Sequence, residues 1–269
     1  MLDDCLSPSR WLSMAKELGM AIDLDILGEP SSGGPRRPPL PGRAVHPSVR
    51  HSLTNSDDAS ALEAARDATL RFLARPFVER GSMFVIPKYG LCPDHNMDEL
   101  VAQCRRAVAW THRHASEHGG DSARLFISGH SAGGHITGMM LATDWAATDG
   151  LPENAIKGVT GISGLYDLEP IRLSKVNEPL RLLEASADRN SPVKLPLPIK
   201  PPATLLAFGG LESDEYGRQG AAYRDVLRKA GGEPVTLKVE GHHHFSILDA
   251  FGNPKHRLGR AVLEQLGLA

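Results

Sequence analysis

The residues with the clearest chemical potential lie in the stretch Gly129-His130-Ser131-Ala132-Gly133, directly after the apolar run RLFIS. The spacing Gly-x-Ser-x-Gly is typical of a sharp turn from a strand into a helix, which lifts the serine hydroxyl clear of the sheet. A serine presented in this way is a candidate nucleophile, and the N–H of Ala132 would face the oxyanion that its attack creates. A purely structural glycine turn is the alternative. The strand before the turn and the helix after it favour the catalytic interpretation.

A serine hydroxyl is a weak nucleophile without a base, so a histidine and an acid are expected further along the chain, in the order serine, acid, histidine. Both residue types follow later strand-like runs. The candidates are Glu212, Asp214 and Glu215 in LESDEY, and His242, His243 and His244 in GHHHFS. Spacing does not choose among them, and a solvated acidic loop is the simpler explanation for any one carboxylate. No metal site is predicted, because adjacent histidines point in different directions and no other ligand stands at a familiar spacing.

The elements that must position these residues form a repeating pattern. From about Phe72 onward, apolar strand-like runs alternate with amphipathic helical stretches, which predicts an α/β fold with a mostly parallel central sheet flanked by helices. The predicted strands are SMFVIP, RLFIS, IKGVTGIS, ATLLAFGG and EPVTLKVE, and the last has Val235, Leu237 and Val239 on one buried face. Helices are predicted from Met97 to about EHGGD, through ITGMMLATDWAA and near the end of the sequence. Three of these strands, RLFIS, ATLLAFGG and EPVTLKVE, end close to the candidate residues.

Two segments depart from that pattern. Residues 1–71 are expected to form an atypical, partly disordered N-terminal segment, since EPSSGGPRRPPLPGRAVHPSVRH is too rich in proline and arginine to join a sheet. Residues 72–269 are expected to form one α/β domain. Within it, the stretch between Ser163 and Pro202 is longer than an ordinary connection and lacks periodicity, so we predict a cap over the site.

Composition limits the partners. The 269 residues carry a formal net charge of −2 with acids and bases interspersed, which favours a small-molecule substrate over nucleic acid or a membrane surface. The three cysteines, Cys5, Cys92 and Cys104, do not form a disulfide framework, and MLDDCLSPSR lacks the charge pattern of a signal peptide. A cytoplasmic location is therefore expected, and the oligomeric state is left open.

Several motifs together resemble the kynurenine formamidase (arylformamidase) branch of the α/β-hydrolase superfamily. They are PKYGLCP, GHSAGGH, ATDWAA, SGLYDLEPIRLS, GGLESDEYGRQ and HHHFS, between about Phe72 and the end of the chain. The resemblance implies hydrolysis of N-formylkynurenine to kynurenine and formate without a cofactor. It assigns Ser131 as nucleophile, Glu212 as acid and His244 as base, with Asp214 and His243 as second choices. Tyr166 is a candidate for the pocket wall, as is His130, although packing within the turn is the default role of His130.

One departure from the family predicts weak activity. Relatives of this kind carry a His-Gly-Gly-Tyr-Trp loop whose N–H groups complete the oxyanion hole, and no such stretch occurs here; SSGGP has neither the histidine nor an expected strand before it. Losing one such donor costs on the order of 10²–10³ in rate. The abrupt change in composition near Phe72 favours a shifted reading frame as the origin of residues 1–71 over a diverged N-terminus. A short-chain carboxylesterase and a catalytically inactive binding protein of the same fold are the alternatives.

Overall fold

The computed structural model describes residues 73–269 in full and residues 22–27 by their backbone. The expectations for the proline-rich run, for SSGGP and for the origin of residues 1–71 lie outside the described residues. Within the described part, no helix combines the length and apolar character needed to cross a membrane.

Six strands in the described part of the chain form one sheet, in the spatial order β2-β1-β3-β4-β5-β6. They are β1 (Ile22–Leu27), β2 (Ser82–Val85), β3 (Leu125–His130), β4 (Ile156–Ile162), β5 (Ala203–Gly209) and β6 (Val235–Val239). Strands β3 to β6 pair in parallel, and β1 runs antiparallel to both of its neighbours. The mostly parallel sheet expected from the sequence is confirmed. Because parallel strands end at the same edge, the loops after β3, β4, β5 and β6 lie side by side.

Strand β1 was not expected, because no strand was predicted before SSGGP. Its residue Ile22 lies opposite Gly129, and Leu27 lies at the other end of the strand, opposite Ser82. A strand therefore does precede SSGGP. Since β1 is antiparallel to β3, however, it ends at the edge of the sheet away from Ser131.

Helices cover both faces of the sheet. They are α1 (its described part 73–78), α2 (Met97–His114), α3 (Ala132–Leu141), α4 (Trp145–Asp149), α5 (Glu169–Arg172), α6 (Asn177–Leu180), α7 (Glu184–Arg189), α8 (Asp214–Lys229), α9 (Ile247–Phe251) and α10 (Arg257–Leu266). The stretch ITGMMLATDWAA is divided between α3 and α4 instead of forming one helix. The second of these helices begins anew at Asp144, whose carboxylate accepts a hydrogen bond from Ala147 N–H.

The core has two parts because successive strand residues face opposite sides of the sheet. On β3, Ile127 packs with α2, α3 and α8, whereas Phe126 packs with α1, α9 and α10. Strand β6 follows the same alternation through Leu237 and Val239, which are buried. The expectation for Val235 is wrong, because this first residue of the edge strand is 59% exposed.

The segment 163–202, which we call the cap, contains α5, α6, α7 and a 3₁₀ turn (Pro192–Lys194). Hydrogen bonds to α2 and α3 help to fix it to the domain. Arg189 and Asn190 both donate hydrogen bonds to the carboxylate of Asp98 at the start of α2. Below them, the buried His135 of α3 donates from Nε2 to the carbonyl oxygen of Asn190 at 2.7 Å. The cap is therefore anchored directly to the helix that follows Ser131.

Candidate active site

Ser131 occupies the turn between β3 and α3 with an unusual backbone conformation. Its φ is 59° and its ψ is −116°, a region that non-glycine residues rarely adopt. Small neighbours make the turn feasible: a Cβ on Gly134 would lie 2.7 Å from the Cα of Gly164 in the next loop. Serines at the start of a helix usually accept a hydrogen bond from the first turn, but the side chain of Ser131 makes no such bond. Its hydroxyl is therefore available to another partner.

That partner is His244, in the loop after β6. The distance from Ser131 Oγ to His244 Nε2 is 3.0 Å, and the distance from His244 Nδ1 to Glu212 Oε1 is 2.5 Å. A carboxylate only accepts, so the imidazole proton lies on Nδ1 and Nε2 is left to accept from the serine hydroxyl. Three residues from the ends of β3, β5 and β6 thus form one hydrogen-bonded chain. The side chain of Glu212 is 1% exposed and that of His244 is 13% exposed.

The second carboxylate oxygen of Glu212 has its own donors. Oε2 accepts from the backbone N–H of Gly209 at 2.5 Å and from the hydroxyl of Ser163 at 2.8 Å. Both bonds favour the ionised carboxylate, and together they fix which oxygen faces His244. A buried carboxylate with this set of donors is suited to orienting an imidazole and to stabilising its positive charge.

The second-choice residues lie elsewhere. Asp214 is exposed as the first residue of α8, two positions beyond Glu212, whose side chain is buried. His243 is also exposed, and its Nδ1 accepts from the backbone N–H groups of Phe245 and Ser246. His242 turns away and donates from Nδ1 to the carbonyl oxygen of Glu240. The three adjacent histidines therefore point in three directions.

His130, a candidate for the pocket wall, packs directly against His244. The ring centroids are 4.5 Å apart, and His130 makes a hydrogen bond with the backbone of His244. Burial is the main reason that the pKa of His130 is lowered well below its usual value, so its ring is neutral and places no charge beside His244. Its Nε2 is buried without a hydrogen-bond partner among the described residues.

Tyr166, the other candidate for the wall, lies in the core instead. It is 1% exposed and stacks on Tyr223 with ring centroids 4.3 Å apart. A Cβ on Gly161 or Gly164 would collide with its ring or hydroxyl, so the tyrosine fills the space beneath the loop after β4. Burial raises the pKa of its phenol, whose hydroxyl has no hydrogen-bond partner in the described part of the chain.

Ala132 is the first residue of α3, where a backbone N–H has no acceptor within the helix. The N–H of Ser131 itself is already used, since it donates to the carbonyl oxygen of Ile162 at 2.8 Å. The N–H of Ala132 is therefore the candidate donor for an oxyanion at this turn.

Ser163 is a residue of the site that sequence reasoning missed. It lies at the end of IKGVTGIS, directly after β4, and it was noted only as a strand terminus. The available signal was positional: β4 lies between β3 and β5, so its end must lie between the serine and the acid.

Comparisons with known proteins agree with this architecture. Residues 62–247 match the sequence profile of a family described as "alpha/beta hydrolase fold". Among solved structures, a putative thioesterase from Silicibacter sp. tm1040 superposes with a TM-score of 0.57 and 26% identity, covering 73% of this chain and 67% of that one. The chain therefore belongs to the α/β-hydrolase fold family.

Within that family, the chain is similar to kynurenine formamidases. The kynurenine formamidase of Danio rerio is 35% identical over 200 residues, which are 73% of this chain and 66% of that protein. The one of Salmo salar is 35% identical over 201 residues, with the same two coverages. The resemblance drawn from the motifs is confirmed, and the chain spans just under two thirds of the length of these relatives.

Proposed function

We propose that the protein is a serine hydrolase that cleaves N-formylkynurenine to kynurenine and formate. The single observation that carries the proposal is the hydrogen-bonded chain Ser131–His244–Glu212. The absence of a capping hydrogen bond from the Ser131 side chain adds support, because a serine kept only for the turn would accept a hydrogen bond from the first turn of the helix that follows it. The similarity to kynurenine formamidases supports the formamide substrate.

In the proposed reaction, Ser131 Oγ attacks the formyl carbon while His244 Nε2 takes the hydroxyl proton. Glu212 stabilises the imidazolium that forms, through the hydrogen bond at Nδ1. The tetrahedral oxyanion accepts a hydrogen bond from Ala132 N–H. His244 then gives its proton to the departing arylamine nitrogen, which leaves a formyl ester on Ser131. Water that His244 activates attacks this ester and releases formate, so that one difficult amide cleavage is divided into two easier steps.

His130 belongs to the proposal as a residue that supports His244. Its ring packs on the imidazole of His244 and its hydrogen bond holds the backbone of the same residue. A second histidine so close to the base is compatible with catalysis only if it stays neutral, since a positive charge there would oppose protonation of His244. The lowered pKa of His130 meets that condition.

Turnover of N-formylkynurenine by the purified protein tests the proposal. We expect formation of kynurenine and formate, and loss of both in Ser131→Ala. Ser128→Ala is the matched control, because Ser128 is a buried serine of the same strand and forms no part of the hydrogen-bonded chain. Equal turnover by wild-type protein and Ser131→Ala would refute the assignment of the nucleophile.

The two alternatives give different results in the same set of measurements. A short-chain carboxylesterase would hydrolyse p-nitrophenyl acetate and leave N-formylkynurenine intact, with the same dependence on Ser131. An inactive binding protein would fail to react with a fluorophosphonate, which labels activated serines whatever their natural substrate. Labelling at Ser131 without formamide cleavage would therefore keep the hydrolase and reject the substrate.

The cytoplasmic location expected from the sequence is part of the proposal. Cys92 and Cys104 are both free cysteines, which is compatible with a reducing compartment. Immunodetection in cytosolic and secreted fractions tests this, and recovery from the secreted fraction would contradict it.

A further inference from the structure

We infer that Ser163 is a positioning residue of the site, which holds the carboxylate of Glu212 in the orientation that faces His244. The inference rests on the proposed function, because it concerns how the same hydrogen-bonded chain is held together. Ser163 does not touch Ser131 or His244 through its hydroxyl, and it acts through the carboxylate alone.

The position of Ser163 follows from the order of the strands. It comes directly after β4, the strand between β3 and β5, so it lies between the turn that carries Ser131 and the loop that carries Glu212. Its backbone N–H donates to the carbonyl oxygen of Ala207 on β5 at 2.7 Å. On the other side, the carbonyl oxygen of Ile162 accepts from Ser131 N–H at 2.8 Å. The two residues at the end of β4 thus hold the backbones of both neighbouring strands.

The backbone of Ser163 turns sharply at this point. Its φ is 48°, which lies in the left-handed region that favours glycine. The residue is nevertheless a serine that is only 1% exposed. Because glycine would relieve the strain, we interpret the side chain as retained for the hydrogen bond that it donates to Glu212 Oε2 at 2.8 Å.

The chemical effect of this bond is on the charge of the acid. The side chain of Glu212 is almost completely removed from water, which disfavours an ionised carboxylate unless donors replace the lost hydration. Gly209 N–H supplies one such donor and the Ser163 hydroxyl supplies the other. Both engage Oε2, so Oε1 remains directed at His244. Removing the hydroxyl leaves a buried anion with one donor fewer at that oxygen.

The test compares Ser163→Ala with wild-type protein and with a matched control, Ser191→Ala. Ser191 is also a completely buried serine, with one donated and one accepted hydrogen bond, but its partners Ala187 and Leu168 belong to the cap. The readout is the rate at which a fluorophosphonate labels Ser131, together with kcat/KM for p-nitrophenyl acetate. We expect Ser163→Ala to lower both by about tenfold, because a hydrogen bond to a charged group is lost, and Ser191→Ala to change neither by more than about twofold.

A second comparison separates positioning from general damage. In a Glu212→Ala background, the further change Ser163→Ala should have no effect on labelling, because its only route to the reaction has been removed. If Ser163→Ala does not fold, Ser163→Gly removes the same hydroxyl and suits the positive φ.

The outcomes distinguish this inference from the proposal on which it rests. Labelling of wild-type protein with unchanged labelling of Ser163→Ala would overturn the positioning role alone. If Ser163→Ala lowers the labelling rate equally with Glu212 present and in the Glu212→Ala background, the positioning role is also overturned, because the effect would then not depend on the acid. Failure of wild-type protein to label at Ser131 would reject the serine hydrolase, and the positioning role with it.

Discussion

The buried His135 should make the free energy of unfolding fall as the pH is lowered. His135 is 2% exposed in α3, and its ring donates a hydrogen bond to the carbonyl oxygen of Asn190 in the cap. Burial lowers its pKa to about 4, against an ordinary value of 6.5, although the bond to Asn190 opposes part of that shift. The folded protein therefore keeps this ring neutral over a pH range in which the unfolded chain protonates it.

The sign and the size of the effect follow from proton binding. Between pH 6.5 and about 4, unfolding takes up a proton at His135, so the free energy of unfolding falls as the pH falls. The fall is about 1.4 kcal/mol per pH unit within that window. Between pH 7.5 and pH 5.0, His135 alone should therefore remove about 2 kcal/mol of stability.

Urea unfolding at the two pH values measures this contribution when His135→Gln is compared with wild-type protein. Glutamine does not titrate, so the fall in the free energy of unfolding should be smaller in the variant by about 2 kcal/mol. Burial also lowers the pKa of His130, but that residue is present in both proteins and cancels in the comparison.

The control is Thr137→Val, which changes a buried residue of the same helix without removing a titratable group and should leave the fall as large as in wild-type protein. Equal falls in wild-type protein and His135→Gln would contradict the reasoning, because the buried ring would then not be the group that takes up the proton.

Further predictions concern activity and packing. Glu212→Gln should lower kcat by about 10²–10⁴, because a neutral amide cannot stabilise the imidazolium. Asp214→Asn, at an exposed residue, should leave kcat unchanged in the same assay. Equal losses of kcat in the two variants would reject Glu212 as the acid. Tyr166→Phe should leave the free energy of unfolding unchanged or raise it by about 1 kcal/mol in urea titration, because the phenol hydroxyl is buried without a partner among the described residues. Gly134→Ala should lower the free energy of unfolding by about 1–3 kcal/mol, and the melting temperature with it, since the added methyl group would press on Gly164. A variant as stable as wild-type protein would show that α3 and the loop at Gly164 can move apart without cost.

Much of the architecture could be predicted because its cause is local. Strands β2 to β6 were all recognised from short apolar runs, and the terminal helix from its periodic Leu258, Val262 and Leu263. The turn at Ser131 was also readable, since glycines at fixed positions are a local requirement of that backbone. The candidates Glu212 and His244 emerged because residues at the ends of parallel strands share one edge of the sheet.

The predictions that were wrong concerned residues whose surroundings depend on contacts with distant parts of the chain. Val235 has the alternation of a buried strand residue, but it lies at the start of an edge strand, where no neighbour covers it. Tyr166 has an aromatic side chain of the kind that lines pockets, but its stacking on Tyr223 of α8 buries it in the core instead. Strand β1 does carry a strand signal, the alternation of apolar and acidic residues from Ile22 to Ile26, but it precedes the region in which strands were predicted.

The sequence by itself determined which chemical groups were present and at which strand ends they stood, because chain order and backbone preferences are local properties. The choice of Glu212 over Asp214, and of His244 over its two neighbours, could be read from the residues only through family resemblance. The structure buries one carboxylate under Ser163 and Gly209 and exposes the other, two residues away. This difference in burial between the two carboxylates arises from packing between β4, β5 and the loops that follow them. It cannot be predicted from the spacing of residues along the chain.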